Sequence, residues 1–303
     1  MTDGSPVVVV VGAASRDITD DDPRGWRLGG GVSYSALALA RLGVRTRALI
    51  GVDGPAASAT ELRALEDAGV ELVPVLLERG PVFVNVETPD GRVQESREVS
   101  DPIELTTIPR GWLPADGWLF APVAAELPDT WSTIPDDGSL VALGWQGLLR
   151  VLRAGGRVEH MHPGPSALVA RADIVGVGVD DFARGTPLDD LAALVGPGDT
   201  LLVTDGARGG TVIGTSRDGQ SRTRDRWSAI PTPGFVDPTG AGDTFLAAVF
   251  AARLVPALLG GREGEGIDLR FGASAASLAC EGPGLSAVPD LESVLARLDA
   301  SPA

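Results

Sequence analysis

Apolar residues in this chain come in two rhythms. Short unbroken runs at Val7–Val11, Val44–Gly51, Gly117–Pro122, Ser139–Leu143, Ala172–Val177 and Thr200–Val203 read as strands buried on both faces. Between and after them, Ala36–Leu42 closed by Gly43, Ala59–Ala68 stopped by Gly69, Asp268–Ala279 and Leu291–Leu298 read as helices. From Pro81 the period falls to two. Val82, Val84 and Val86 alternate with Phe83, Asn85 and Glu87, and Pro89-Asp90-Gly91 turns the chain into Arg92–Glu98. That is a β-hairpin set into an α/β pattern, and a short strand at Trp26–Leu28 can join it. Thr211–Ile213 and Trp227–Ile230 read as further short strands. Strands alternating with helices predict a three-layer α/β/α fold, doubly wound around a mainly parallel sheet, with a small β-strand lid. The whole of 1–303 reads as one domain, with lid strands from about 15–32 and 80–100 inserted in it.

Composition narrows the function classes. With 303 residues and 44% apolar content the chain can bury a large core, and its formal charge of −16 argues against nucleic acid or an anionic membrane as partner. All 25 basic residues are Arg, so any phosphate must be held by backbone N–H groups, Arg or a metal ion. One cysteine, Cys280, allows no intrachain disulfide and suits a reducing compartment. The first residues carry no basic leader and Val7–Val11 is too short to span a bilayer, so the expected location is cytoplasmic.

The chemistry concentrates in Phe235–Leu254. Pro238, Gly240 and Gly242 make a loop, and the run from Thr244 onward is apolar almost all round, as in a buried helix. A Gly-rich loop feeding such a helix aims free N–H groups and a positive dipole end at one point, which binds anions. Asp243 stands at that point. A carboxylate beside a phosphate makes sense as the acceptor of a proton from an attacking hydroxyl, and the other reading is a turn with an ordinary Asp cap.

Similar turns lie at other strand ends. Thr204-Asp205-Gly206-Ala207-Arg208-Gly209 offers a hydroxyl, free N–H groups and an Arg for phosphate. Asp17 follows the first strand, where it either accepts hydrogen bonds from a polyol or closes a turn. Gly29-Gly30-Gly31, just before Tyr34, either lets backbone approach a sugar or forms a hinge. Gln146, Arg150 and Glu126 are polar groups near strand ends, with Arg150 a candidate partner for an acidic substrate. His160 and His162 form a His-x-His pair without an evident third zinc ligand. A dinucleotide-binding oxidoreductase is disfavoured, because no Gly-x-Gly-x-x-Gly follows the first strand.

In order and spacing these residues resemble the ribokinase-like (PfkB-type) carbohydrate kinase family. Its carboxyl-terminal signature appears as Asp237-Pro238-Thr239-Gly240-Ala241-Gly242-Asp243-Thr244-Phe245, and its amino-terminal one as Gly29-Gly30, Ala36 and Leu42-Gly43. The resemblance implies an ATP-dependent phosphotransferase acting on a hydroxyl of a sugar, polyol or nucleoside. Asp243 would be the base, and the N–H groups of Gly240, Ala241 and Gly242 the anion hole. Asp17, Gly29, Gly30, Gly31 and Tyr34 would face the acceptor, and Thr204, Gly206, Arg208, Gly209 and Ala273 the ATP. Asp237, Thr239 and Gly284 would match a monovalent-cation site for K⁺, with Mg²⁺ arriving on ATP. Lid strands of this kind often pair between subunits, which implies a homodimer. The chain departs from the family pattern at Tyr34 and Pro238, at Ala273, and at Val177-Gly178-Val179-Asp180-Asp181, which lacks the usual Asn. A non-catalytic binding protein on the same fold is the alternative.

Overall fold

Valines whose side chains point alternately to two helical layers build the centre of the protein. In the computed structural model, which describes residues 4–88 and 91–301, Val7–Ala13 is a strand with Val8 and Val10 in one core and Val9 and Val11 in the other. The first core lies against helices α1 (Gly31–Arg41), α2 (Thr60–Asp67), α5 (Ala241–Leu254), α6 (Ile267–Ala279) and α7 (Leu291–Ala300). The second packs Trp131, Trp145, Leu168 and Leu191 beneath Phe120 and Leu143, with α3 (Ala167–Arg171) and α4 (Leu188–Ala192) on that face.

Nine strands form the main sheet. From one edge to the other they are Arg222–Trp227, Gly210–Thr215, Thr200–Thr204, Ile174–Gly178, Leu140–Gly144, Gly117–Phe120, Val7–Ala13, Arg45–Val52 and Glu71–Leu76. All neighbours pair in parallel except the first three, whose two ladders are antiparallel. The outcome is the expected arrangement, a large, mainly parallel sheet between helices with a second, smaller sheet. That smaller sheet runs Gly156–Arg157, Gly91–Glu98, Val82–Thr88, Arg16–Ile18 and Trp26–Leu28. The turn read at Pro89-Asp90 lies outside the described residues.

Several boundaries differ from those read off the sequence. Glu71–Leu76 has no counterpart in the hydrophobic pattern, because Pro74 argues against a strand; here it lies at the sheet edge, where one side needs no ladder donor. The strand expected at Trp227–Ile230 is Arg222–Trp227 instead, with five exposed residues on the outer edge. Helix α6 begins one residue earlier, at Ile267, after Gly266 in a left-handed conformation, and Asp268 in its first turn pairs with Arg253 of α5 at 2.7 Å. Helix α5 begins at Ala241 rather than Thr244, which brings Gly242 and Asp243 into its first turn. No helix among the described residues is long and apolar enough to cross a membrane.

Candidate active site

Pro238-Thr239-Gly240-Ala241 is a tight turn closed by the Ala241 N–H on the Pro238 carbonyl at 3.2 Å. Its third residue, Gly240, has φ 79° and ψ 0°, the type II geometry that disfavours any side chain. A second constraint acts on the same atom: a Cβ there would overlap the Tyr34 ring. The turn delivers the chain into α5 with the N–H groups of Gly240 and Gly242 unbonded among the described residues. Of the three N–H groups expected in the anion hole, Ala241's is therefore committed to the turn. Two remain, backed by the dipole of a helix buried from Thr244 to Ala252.

Asp243, partly exposed, opens into a polar cavity of about 260 Å³ lined also by Ser15, Asp17, Asn85, Gln94, Gln146, Arg150, Asp181 and Thr204. Its Oδ1 accepts a hydrogen bond from Gln146 Nε2 at 3.2 Å. Burial and the neighbouring Asp181 push the Asp243 carboxyl up to about 7, against the pull of Arg150 and the Gln146 amide. A carboxylate with its midpoint near neutrality is suited to take a proton and release it again.

The strand ends and the small sheet bring these residues together. Asp17 comes from Arg16–Ile18 of the small sheet and accepts from Ser15 Oγ at 2.9 Å. Phe83, Asn85 and Gln94 reach the cavity from the hairpin, with Gln94 donating to Asn85 at 2.9 Å. Gly30 and Gly31 line the wall at the start of α1, and a Cβ on Gly31 would come within 2.7 Å of Asp243 Oδ1. Gly29 does not line the cavity; its Cβ position lies on the Asp17 carboxylate. Tyr34 does line it, yet its ring covers Gly240 rather than standing free, and burial with Asp17, Asp237 and Asp243 nearby holds its hydroxyl protonated.

A second lobe of about 510 Å³ adjoins the first through Thr204, Pro238, Gly242 and Phe245. It is walled by Ile230, Ala273, Ala276 and the stacked pair Trp227–Phe245, whose rings lie 5.1 Å apart at 10°. Thr204, Gly206, Gly209 and Ala273 all face this lobe. Arg208 does not: it is largely exposed and folds back on Asp205 at 2.5 Å, three residues away. Asp237 and Gly284 line neither lobe; Asp237 Oδ1 accepts from the Thr239 N–H at 2.9 Å. Among the described residues no three His, Cys, Asp or Glu side chains gather as a metal site. His160 and His162 contact the Asp181 carbonyl and the Thr186 hydroxyl respectively.

Sequence reading singled out Glu126 as a candidate contact, and the structure gives it another task. Its buried carboxylate accepts N–H groups from Ala13, Val123 and Ala124 at 2.7 to 3.1 Å, tying the end of the first strand to the loop after Gly117–Phe120. Glu126→Gln would turn an NH₂ toward one of those donors. Thermal unfolding should show a loss on the order of 2 kcal/mol; an unchanged midpoint would remove this carboxylate from the scaffold.

Residues 161–291 match the pfkB family carbohydrate kinase model. No curated protein matches the chain. Solved structures resemble it over nearly its full length. A pyrophosphate-dependent kinase in the ribokinase family, complexed with a pyrophosphate analog and myo-inositol, superposes with TM-score 0.70 at 18% identity, covering 95% of this chain and 99% of that one. Arabidopsis thaliana ribokinase complexed with ribose and ATP gives TM-score 0.67 at 22% identity, over 98% and 100%. A nucleoside kinase from Methanocaldococcus jannaschii gives 0.65 at 17%, also over 98% and 100%.

Proposed function

We propose that this chain, which has the ribokinase-like fold and matches the pfkB family carbohydrate kinase model over residues 161–291, is an ATP-dependent kinase phosphorylating a hydroxyl of a neutral sugar, polyol or nucleoside. One observation carries the reading: Asp243 lines a polar lobe next to Gly242, where that lobe adjoins an apolar one, beside two N–H groups at a helix N-terminus that are unbonded among the described residues.

In this reading the acceptor occupies the polar lobe and the donor's base the apolar one, with the terminal phosphoryl group at their junction. Asp243 takes the hydroxyl proton as the acceptor oxygen bonds to phosphorus, the bond to the β-phosphate oxygen breaks, and ADP leaves. The Gly240 and Gly242 N–H groups receive the charge that builds on the phosphoryl oxygens. Asp181, whose charge bears on Asp243 across the polar lobe, would hold the hydrated Mg²⁺ that travels with ATP and supplies the charge neutralisation a lysine-free site lacks. A K⁺ beside Asp237 and Thr239 would draw its remaining ligands from backbone carbonyls.

Charge and polarity choose among substrates. Among the described residues the polar lobe carries three carboxylates, Asp17, Asp181 and Asp243, against the single guanidinium of Arg150. Arg150 is itself engaged, donating to Val123 O at 3.3 Å and Gln146 Oε1 at 2.8 Å. Such a wall repels an acidic acceptor. An apolar lobe with a stacked aromatic pair suits a nucleotide base and has no use for pyrophosphate.

Purified protein given Mg-ATP with ribose, myo-inositol, adenosine or 2-keto-3-deoxygluconate should release ADP with at least one neutral acceptor and none with the sugar acid. Replacing ATP by pyrophosphate should lower turnover at least about tenfold, since the apolar contacts are lost. Ligand binding by calorimetry with no acceptor-dependent ADP would instead favour a non-catalytic binding protein.

A further inference from the structure

The wall opposite Asp243 carries a chain of contacts that the kinase reading does not need in order to be stated. Trp145–Leu149 is a short 3₁₀ segment following the strand Leu140–Gly144, and it presents Gln146 to the cavity with Arg150 just behind. The Gln146 amide has one orientation consistent with its partners. Arg150 can only donate, so the oxygen of Gln146 faces Arg150 Nη2 at 2.8 Å and its NH₂ faces Asp243 Oδ1 at 3.2 Å.

Arg150 is in turn fixed. Its side chain is 10% exposed, its guanidinium lies 5.7 Å over the Phe83 ring, and it holds Val123 O and, at 3.7 Å, the Asp181 carboxylate. The Nε–H is buried without a partner among the described residues. A guanidinium held in this way keeps a fixed positive charge behind an amide that cannot flip.

We propose that Gln146, locked by Arg150, is a positioning residue for Asp243: it occupies Oδ1 and leaves Oδ2 turned to the acceptor hydroxyl. The proposal rests on Asp243 being that base, but its first readout does not need turnover. Two charged groups bear on Asp243, Arg150 at the start of Arg150–Val151 and Asp181 from the loop after Ile174–Gly178, and Tyr34 of α1 and Asp17 of the small sheet line the same cavity. Among the described residues that line the cavity only Arg150 is positive, and Gln146 links it to Asp243 by hydrogen bonds.

Gln146→Met keeps length and removes the amide; Gln146→Glu keeps shape and is the variant to use should the first not fold. The Asp243 side-chain carboxyl is followed by ¹³C NMR against pH, with Asp243→Asn used to assign the signal, alongside the pH profile of kcat and the acceptor KM. In Gln146→Met the Asp243 midpoint should move up by about one pH unit. Near neutral pH kcat should fall about tenfold, most of it should return at alkaline pH, and KM should change little. Gln146→Glu should move the midpoint further in the same direction, because a second carboxylate then faces the first. A midpoint unmoved in a folded variant, or a raised KM with an unshifted profile, would overturn the proposal, the latter making Gln146 an acceptor contact. Shifted NMR midpoints in a protein that transfers no phosphate would leave the placement standing and sink the kinase reading instead.

Discussion

Asp243→Asn is expected to lower acceptor-dependent turnover by about 10²- to 10⁴-fold while leaving nucleotide affinity nearly unchanged. The amide keeps the shape of the side chain at the start of α5, and the two free N–H groups at Gly240 and Gly242 stay in place. Only the proton acceptor is lost. The same substitution should make the protein more stable, which separates a functional group from a structural one. The Asp243 carboxyl is raised from an ordinary 3.8 to about 7 in the fold. Between those two values the folded protein binds a proton that the unfolded chain has released, so its stability falls as pH rises through that window and levels off above it. Asparagine escapes the cost. The advantage should therefore be small at about pH 4 and reach roughly 2–4 kcal/mol at about pH 8, allowing for the partial opening of the carboxyl to the cavity. Melting curves at the two pH values test this; equal midpoints for both proteins at about pH 8 would mean that Asp243 is not held against its ionisation.

Gly240→Ala is expected to abolish transfer for a different reason, the loss of the turn itself. Residue 240 has φ 79°, and a methyl group there meets the Tyr34 ring, so the backbone or the ring must move. Either movement displaces the Gly240 and Gly242 N–H groups from the phosphoryl position, a change worth about 10²- to 10³-fold in kcat per donor lost. The left-handed conformation adds on the order of 1–2 kcal/mol of destabilisation. Combining it with Tyr34→Ala distinguishes the two contributions: the clash disappears and only the conformational cost stays. The double variant should thus be less impaired than the sum of its parts in stability. Full additivity would show that the ring and the turn do not touch in solution.

How far the sequence alone reaches can be seen residue by residue. The main sheet was readable because Val7–Val11 and its counterparts are unbroken apolar runs, and the loop Gly240–Asp243 was readable because its glycines, acid and helix are contiguous. Asn85 and Gln94 face each other across the hairpin and meet Ser15 in one cavity only after folding. No spacing announces them. A guanidinium beside a Gly-rich turn suits a phosphate, but the Asp205 carboxylate three residues earlier competes locally and holds Arg208 outside the lobe. Tyr34 was read as an altered acceptor contact; its ring over Gly240 follows from how α1 meets the turn before α5, which one-dimensional pattern cannot give.

The central claim is that Asp243 takes the proton of an acceptor hydroxyl while the terminal phosphoryl group of ATP is passed to its oxygen. ³¹P NMR of Mg-ATP mixed with the acceptor that supports ADP release observes the product directly. The account predicts a phosphate monoester that accumulates in step with ADP with the wild-type chain and is absent over the same period with Asp243→Asn. Inorganic phosphate alone, or a monoester formed equally fast by the variant, would contradict it.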